Sequence, residues 1–180
     1  MSAERIAPDP AAANARGLDS DAGQRESEDP GAGAVPLSTE ALERAFLGDP
    51  AILESFVDVL QRALPDGTTI ILRGSAIAGH SYETDAPFDA DGPGTSDLDV
   101  VVVGEGVVDL WDEDARILGG VNTLPLCDSA PCAAPVLDRA RRDAQTLVRR
   151  PVSIQGMAKW FLDLRGVVQG TPYAVLSPDA

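Results

Sequence analysis

Cysteine occurs only at Cys127 and Cys132, separated by Asp-Ser-Ala-Pro, and no second pair exists to complete a zinc site. A bridge between them is disfavoured in a reducing compartment, so two half-buried thiols beside a loop are expected. Long apolar runs are missing too: nothing approaches the roughly 18 residues that suggest a membrane span. The start of the chain, Met1 to Pro8, carries no apolar signal core. The expectation is a cytoplasmic protein without a membrane partner. Positive charge is scarce, with 14 Lys and Arg against 29 Asp and Glu and a formal net charge of −15. Such a surface repels nucleic acid and anionic membranes, which argues against general nucleic-acid binding. A single anionic nucleotide is a different matter, because metal ions and backbone N–H groups can neutralise its phosphates locally.

Large apolar residues are almost absent from residues 1–37, an acidic stretch rich in Ala, Gly and Pro. It cannot bury enough surface to offset the entropy of ordering, so a disordered tail is expected there. One domain, residues 38–180, is expected after it. Ser38 before Thr39-Glu40 marks a helix start. Leu42, Phe46, Ile52, Phe56, Val57 and Leu60 follow at helical spacing, and Gly48-Asp49-Pro50 divides the stretch into two helices. Pro65-Asp66-Gly67 stops the second. Thr68 to Arg73 reads as a buried strand, as does Leu98 to Val103. Glu105 to Leu118 reads as a helix ended by Gly119-Gly120, and residues 122–134 as a loop. Pro135 to Arg150 is helical, Pro151 to Met157 a third strand, Lys159 to Arg165 a short helix, and Tyr173 to Leu176 a final extended run. The fold class is α/β or α+β: a mixed sheet of 3–5 strands packed with helices.

The chemistry concentrates at two points. In a strand, residues two apart share a face, so Asp97 and Asp99 project together while Leu98 and Val100 turn away. Two carboxylates at the mouth of a buried apolar run resist leaving water, so a cation is expected between them. Mg²⁺ prefers such oxygens, keeps waters and is usually completed by substrate phosphates. Ser96 can orient the first carboxylate. Gly74-Ser75 ends the preceding strand and opens a short helix, offering backbone N–H groups and a hydroxyl to a phosphate. Arg73 is delivered to the same side.

Leu72-Arg73-Gly74-Ser75-Ala76 together with Ser96-Asp97-Leu98-Asp99-Val100 resembles the DNA polymerase beta-type nucleotidyltransferase superfamily. By motif the resemblance covers about residues 70–104. It implies a nucleotidyltransferase-like domain in which Asp97 and Asp99 hold Mg²⁺, with Mn²⁺ as substitute, while Arg73, Gly74, Ser75 and Ser96 bind a nucleoside triphosphate. A nucleotidyl group would pass to a hydroxyl or phosphate on a partner protein or small molecule. The alternative is a catalytically impaired nucleotide- or protein-binding module, antitoxin-like, acting through a partner or as a homo-oligomer.

Two departures from that pattern stand out. Residues 80–95 form a long acidic insertion holding Glu83, Asp85, Asp89, Asp91 and the single histidine, His80. A solvated loop is expected there, removable from Asp85 to Gly92 without loss of the fold. The second departure is chemical: family members carry a third carboxylate on a later strand, and here that strand offers Ser153 and Gln155. Asp109, Asp128 and Asp163 are the available substitutes. Trp111, Trp160 and Phe161 are expected in the core, and the arginines from Arg139 to Arg150 on a solvated helix face.

Overall fold

The computed structural model describes residues 33–177. The disorder expected for the tail lies, over residues 1–32, outside the described residues. Residues 33–35 are paired: Val35 N–H donates to Tyr173 O at 2.8 Å, and Tyr173 N–H donates to Gly33 O at 3.1 Å.

Local chemistry accounts for the first two helices. Ser38 Oγ accepts from Ala41 N–H and caps α1 (Thr39–Phe46). Leu47 and Gly48 turn through positive φ, Asp49 caps α2 (Pro50–Gln61) by accepting from Ala51 N–H, and Pro50 occupies its first turn. The chain then enters β1 (Thr69–Arg73), a single-turn α3 (Ser75–Ala78) and β2 (Leu98–Val103). A hairpin of β3 (Arg116–Ile117) and β4 (Asn122–Thr123) follows, then α4 (Pro135–Val148), β5 (Val152–Gly156), α5 (Lys159–Gln169) and β6 (Tyr173–Ser177).

The main sheet is mixed, in the order β5-β2-β1-β6. β1 runs antiparallel to β2 and β6, whereas β2 and β5 are parallel, joined through the helical crossover of α4. The fold is therefore mixed α+β, a four-stranded sheet with helices on both faces. Ile70, Leu72, Leu98, Val100, Val102 and Ile154 point to one face, where they meet Phe46, Phe56 and Leu60 of α1 and α2 and Leu137, Ala144 and Val148 of α4. Ile71, Val101, Val103 and Tyr173 point to the other face and meet Leu162 of α5. Arg73 and Asp99 share this second face at its end, opposite each other in register.

Four expectations are corrected. The predicted helix over residues 105–118 is instead two short 3₁₀ turns, Val107–Leu110 and Glu113–Ala115, running into β3. Glu105, Asp109 and Glu113 would stack like charges at i,i+4 along a continuous helix, and Trp111, extended and 1 % exposed, is drawn into the core. The loop expected over residues 122–134 contributes β4, and Leu126 bridges Ile154, so this segment covers the outer edge of β5. Trp160 is not in the core: it is 59 % exposed and forms an outward stripe on α5 with Leu164 and Val168. Phe161 is partly buried against the second face.

The fourth correction concerns charge. Arg141 and Arg150 are buried, not solvated. Arg141 donates to Asp138 Oδ1, Asp128 Oδ1 and Gln145 Oε1, joining α4 to the cysteine loop. Burial lowers its affinity for a proton, but Asp128 and Asp138 outweigh that and hold the guanidinium above its ordinary range. Arg150 donates to both carboxylate oxygens of Asp89, at 3.1 and 3.2 Å, and its guanidinium lies 4.7 Å from the centre of the Phe88 ring. Asp89 also accepts from the backbone N–H groups of Ser96 and Gly94. The insertion is therefore an anchored hairpin and not a free loop. Cys127 and Cys132 are free thiols, the first partly buried and the second exposed. No helix among the described residues is long and apolar enough to cross a membrane.

Candidate functional site

The antiparallel pairing of β1 and β2 puts the end of one strand beside the start of the other, so the two motifs separated in sequence meet. Arg73, Gly74, Ser75, Asp97 and Asp99 line one cavity of about 390 Å³. Its other walls are Ser81, Tyr82 and Glu83 from the hairpin, with Arg165 and Thr171 from α5 and the turn after it.

Gly74 is required at the junction. Its φ of 76° and ψ of −152° fall where only glycine is at ease, and a Cβ there would sit 2.5 Å from Asp99 Oδ2. The bare α-carbon lets backbone and carboxylate come together at the cavity floor. From the far side, Arg44 of α1 donates to Ala76 O at 2.9 Å and Ile77 O at 3.1 Å, tying down the carbonyl end of α3. That clamp fixes the turn carrying Ser75.

Asp97 is exposed just before β2, and Asp99 is partly buried. Burial, then the neighbouring Asp97 carboxylate, push the Asp99 carboxyl up to about 6, against the opposing pull of Arg73 and Arg165. Burial, then Arg165, weaken the proton affinity of the Arg73 guanidinium, which Asp99 partly restores. Much of the positive charge that the two aspartates require is therefore built into the chain. The Arg73 guanidinium also donates to Gln155 Oε1, while Gln155 Nε2 donates to Thr123 O at 3.0 Å.

The remaining carboxylates that could have completed the set are placed elsewhere. Asp109 pairs with Arg116, Asp128 with Arg141 and Asp163 with Lys159, and none lines this cavity. Ser153 lies opposite Asp99 in register and Gln155 opposite Val101, so β5 brings neutral oxygens to the third position. Among the described residues no group of three or more His, Cys, Asp or Glu is gathered for a metal ion. Asp97 and Asp99 are two neighbouring carboxylates open to a cavity in which water and phosphate oxygens could complete the shell of an ion such as Mg²⁺.

Ser96 does not orient Asp97. Its Oγ accepts from Asp89 N–H at 2.8 Å, and its own N–H donates to Asp89, so it fastens the hairpin. His80 is exposed at the hairpin base. Nothing in the sequence points to Tyr82, Arg165 or Thr171, since only the tertiary fold brings them to this cavity. A larger cavity of about 530 Å³ lies near Gly104 and Gly119. Its arginine, Arg116, is already committed to Asp109 Oδ1, Asp109 O and Trp111 O, which leaves little chemistry there.

The raised Asp99 carboxyl has a consequence for stability. Between the ordinary value of 3.8 and about 6 the folded state holds a proton that the unfolded state has released. Stability is therefore lost as pH rises through that window, by up to about 3 kcal/mol. Urea unfolding from pH 4 to 7 should show the wild type losing stability relative to Asp99→Asn as pH rises; parallel profiles would contradict the assignment.

No protein-family model, curated protein or solved structure matches this chain.

Proposed function

We propose that the protein binds a nucleoside triphosphate as its Mg²⁺ complex and transfers the nucleotidyl group to a hydroxyl or phosphate on a partner protein or small molecule. The observation that carries this is the junction itself: Asp99 stands over the bare α-carbon of Gly74, with Asp97, Ser75, Arg73 and Arg165 around the same cavity. Such a place suits a polyphosphate, with backbone N–H groups and a hydroxyl on one side, guanidinium groups on another and carboxylates for the counter-ion. Asp97 and Asp99 would hold Mg²⁺, which when bound offsets charge on phosphate oxygens. Gly74 and Ser75 would grip the outer phosphates, and Arg73 and Arg165 would balance the remaining charge. The acceptor oxygen would attack the α-phosphorus, a hydroxyl acceptor giving up its proton to water, while the bond from that phosphorus to the bridging oxygen breaks and pyrophosphate leaves. Positioning and electrostatics supply most of the rate in such transfers. The free thiols at Cys127 and Cys132 agree with a cytoplasmic setting.

A second reading has its own observation. Gln155, engaged by Arg73, stands where a third carboxylate would strengthen metal binding, which favours a module that binds nucleotide without turnover. The two readings separate on incubation with α-³²P-labelled triphosphates, Mg²⁺ or Mn²⁺ and cell lysate. Label should reach an acceptor, and Asp97→Ala should reduce transfer by at least about a hundredfold, the scale for removing one charge-stabilising group. Binding lost in Asp97→Ala, with no transfer by the wild type, would select the module.

A further inference from the structure

The segment least like a minimal domain of this design is the hairpin of residues 80–95, and it reaches the cavity. Its base is held from several directions. Phe88 N–H donates to Gly79 O at 2.9 Å, Ser81 N–H donates to Ala86 O at 2.8 Å, and Asp89 is locked to Arg150 and Ser96. The tip is equally ordered: Ser81 Oγ accepts from the N–H groups of both Glu83 and Thr84, so the Ser81 hydroxyl is turned into its own loop. Tyr82 is thereby left as the large aromatic side chain that this hairpin offers to the cavity. It is 49 % exposed, and the His80 ring braces it at 5.7 Å between centroids.

An open aromatic ring carried on a bonded loop, beside a phosphate-binding floor, has few structural reasons to be there. The core does not use it, since Tyr82 belongs to neither buried cluster. A cavity that combines paired guanidinium groups with an aromatic ring suits an anion attached to a planar ring system.

We propose that Tyr82 is the platform on which the nucleobase stacks, held beside the cavity by the anchored hairpin. The inference rests on the nucleotide reading of the Arg73–Asp99 site. It concerns the insertion alone, which the two motifs leave without a role. Stacking is tolerant of base identity, so Tyr82 adds affinity for nucleosides over bare polyphosphate more than it selects among bases.

Calorimetric titration of the full chain tests this, with ATP, GTP, CTP and UTP each in Mg²⁺, and with inorganic tripolyphosphate in Mg²⁺. Tyr82→Ala should weaken the tightest nucleotide by about 10-fold or more, the loss expected on removing one stacked base. Tripolyphosphate should bind Tyr82→Ala as it binds the wild type, and Tyr82→Phe should keep nucleotide affinity. Unchanged nucleotide affinity in Tyr82→Ala overturns the platform, as does equal weakening of nucleotide and tripolyphosphate. If Tyr82→Phe fails as badly as Tyr82→Ala, the hydroxyl and not the ring is used, which also overturns it. A wild type that binds none of these ligands, or an Asp97→Ala variant that binds them normally, defeats the nucleotide reading and the platform with it.

Discussion

Asp89→Ala is expected to destabilise the domain by about 3 kcal/mol, because it leaves the buried Arg150 guanidinium without the partly buried carboxylate that faces it. The substitution lies in an acidic loop, where changes away from special contacts stay within about 0.5 kcal/mol. Asp89 is different because of what it faces. Arg150 is 8 % exposed and has its charge matched by the two Asp89 oxygens. Burial alone would raise the Asp89 carboxyl, but the Gly94 and Ser96 N–H groups and Arg150 outweigh it and hold the group below its ordinary value. Without the carboxylate, Arg150 keeps the Phe88 ring and Ser96 O, and two backbone donors lose their acceptor. Urea unfolding of Asp89→Ala beside Asp91→Ala makes the comparison within one loop. Asp91 is exposed, so its midpoint should barely move. Equal midpoints for the two variants would show that the hairpin is not anchored as described. Because the folded Asp89 has the depressed value, its stabilisation is present above about pH 4 and lost as pH falls through the folded value.

Asp89 also shows where the sequence was legible and where it was not. The helix start at Ser38, the break at Gly48-Asp49-Pro50 and the four strands of the main sheet rest on local patterns: a hydroxyl cap, a Gly-Asp-Pro break and β-branched runs. Those signals act over a few residues and survive folding unchanged. Asp89 meets Arg150 across 61 positions, and nothing in either neighbourhood announces the other. An arginine in a helix pattern reads as solvated until its carboxylates are found, and Arg141 was missed in the same way. The 105–118 stretch failed for another reason. Its apolar spacing suited a helix, but Trp111 gained more by extending into the core than the segment gained from continuous helix, with its carboxylates stacked on one face. Trp160 erred in the opposite sense, since helical spacing shows which residues share a face and not whether anything covers it.

Carboxylates near a buried strand end require a cation, and the chain places Arg73 across from Asp99 in register and Arg165 close by. Arg73 also occupies Gln155, so the third-strand position serves hydrogen bonding to the guanidinium. A polyphosphate and its counter-ion would enter a cavity lined by three carboxylates, Glu83, Asp97 and Asp99, and two guanidinium groups, Arg73 and Arg165. On the proposed reading, Arg73 and Arg165 would turn from offsetting the aspartates toward phosphate while Mg²⁺ took up the aspartates. Such a coupling would let a chain with a net charge of −15 accept the proposed anionic ligand.

Gly74→Ala isolates the junction on which this exchange depends. Two costs fall on the same atom. The backbone conformation belongs to a region that costs other residues roughly 1–3 kcal/mol, and the added methyl would lie 2.5 Å from Asp99 Oδ2 and 3.4 Å from Asp99 Cβ. The carboxylate must move, and with it the charge that faces Arg73 across the strand pair. Gly67→Ala is the matched comparison: Gly67 also has positive φ, at 74°, but nothing lies within 4 Å of its missing Cβ. Both variants should melt below the wild type, Gly74→Ala the lower. Only Gly74→Ala should lose the rise in melting temperature produced by a nucleoside triphosphate with Mg²⁺, because only there does the methyl displace a proposed ligand of the ion. A rise that survives in Gly74→Ala would mean that Asp99 can move without cost to binding, and the close approach of Gly74 and Asp99 would then be a packing detail of the strand end.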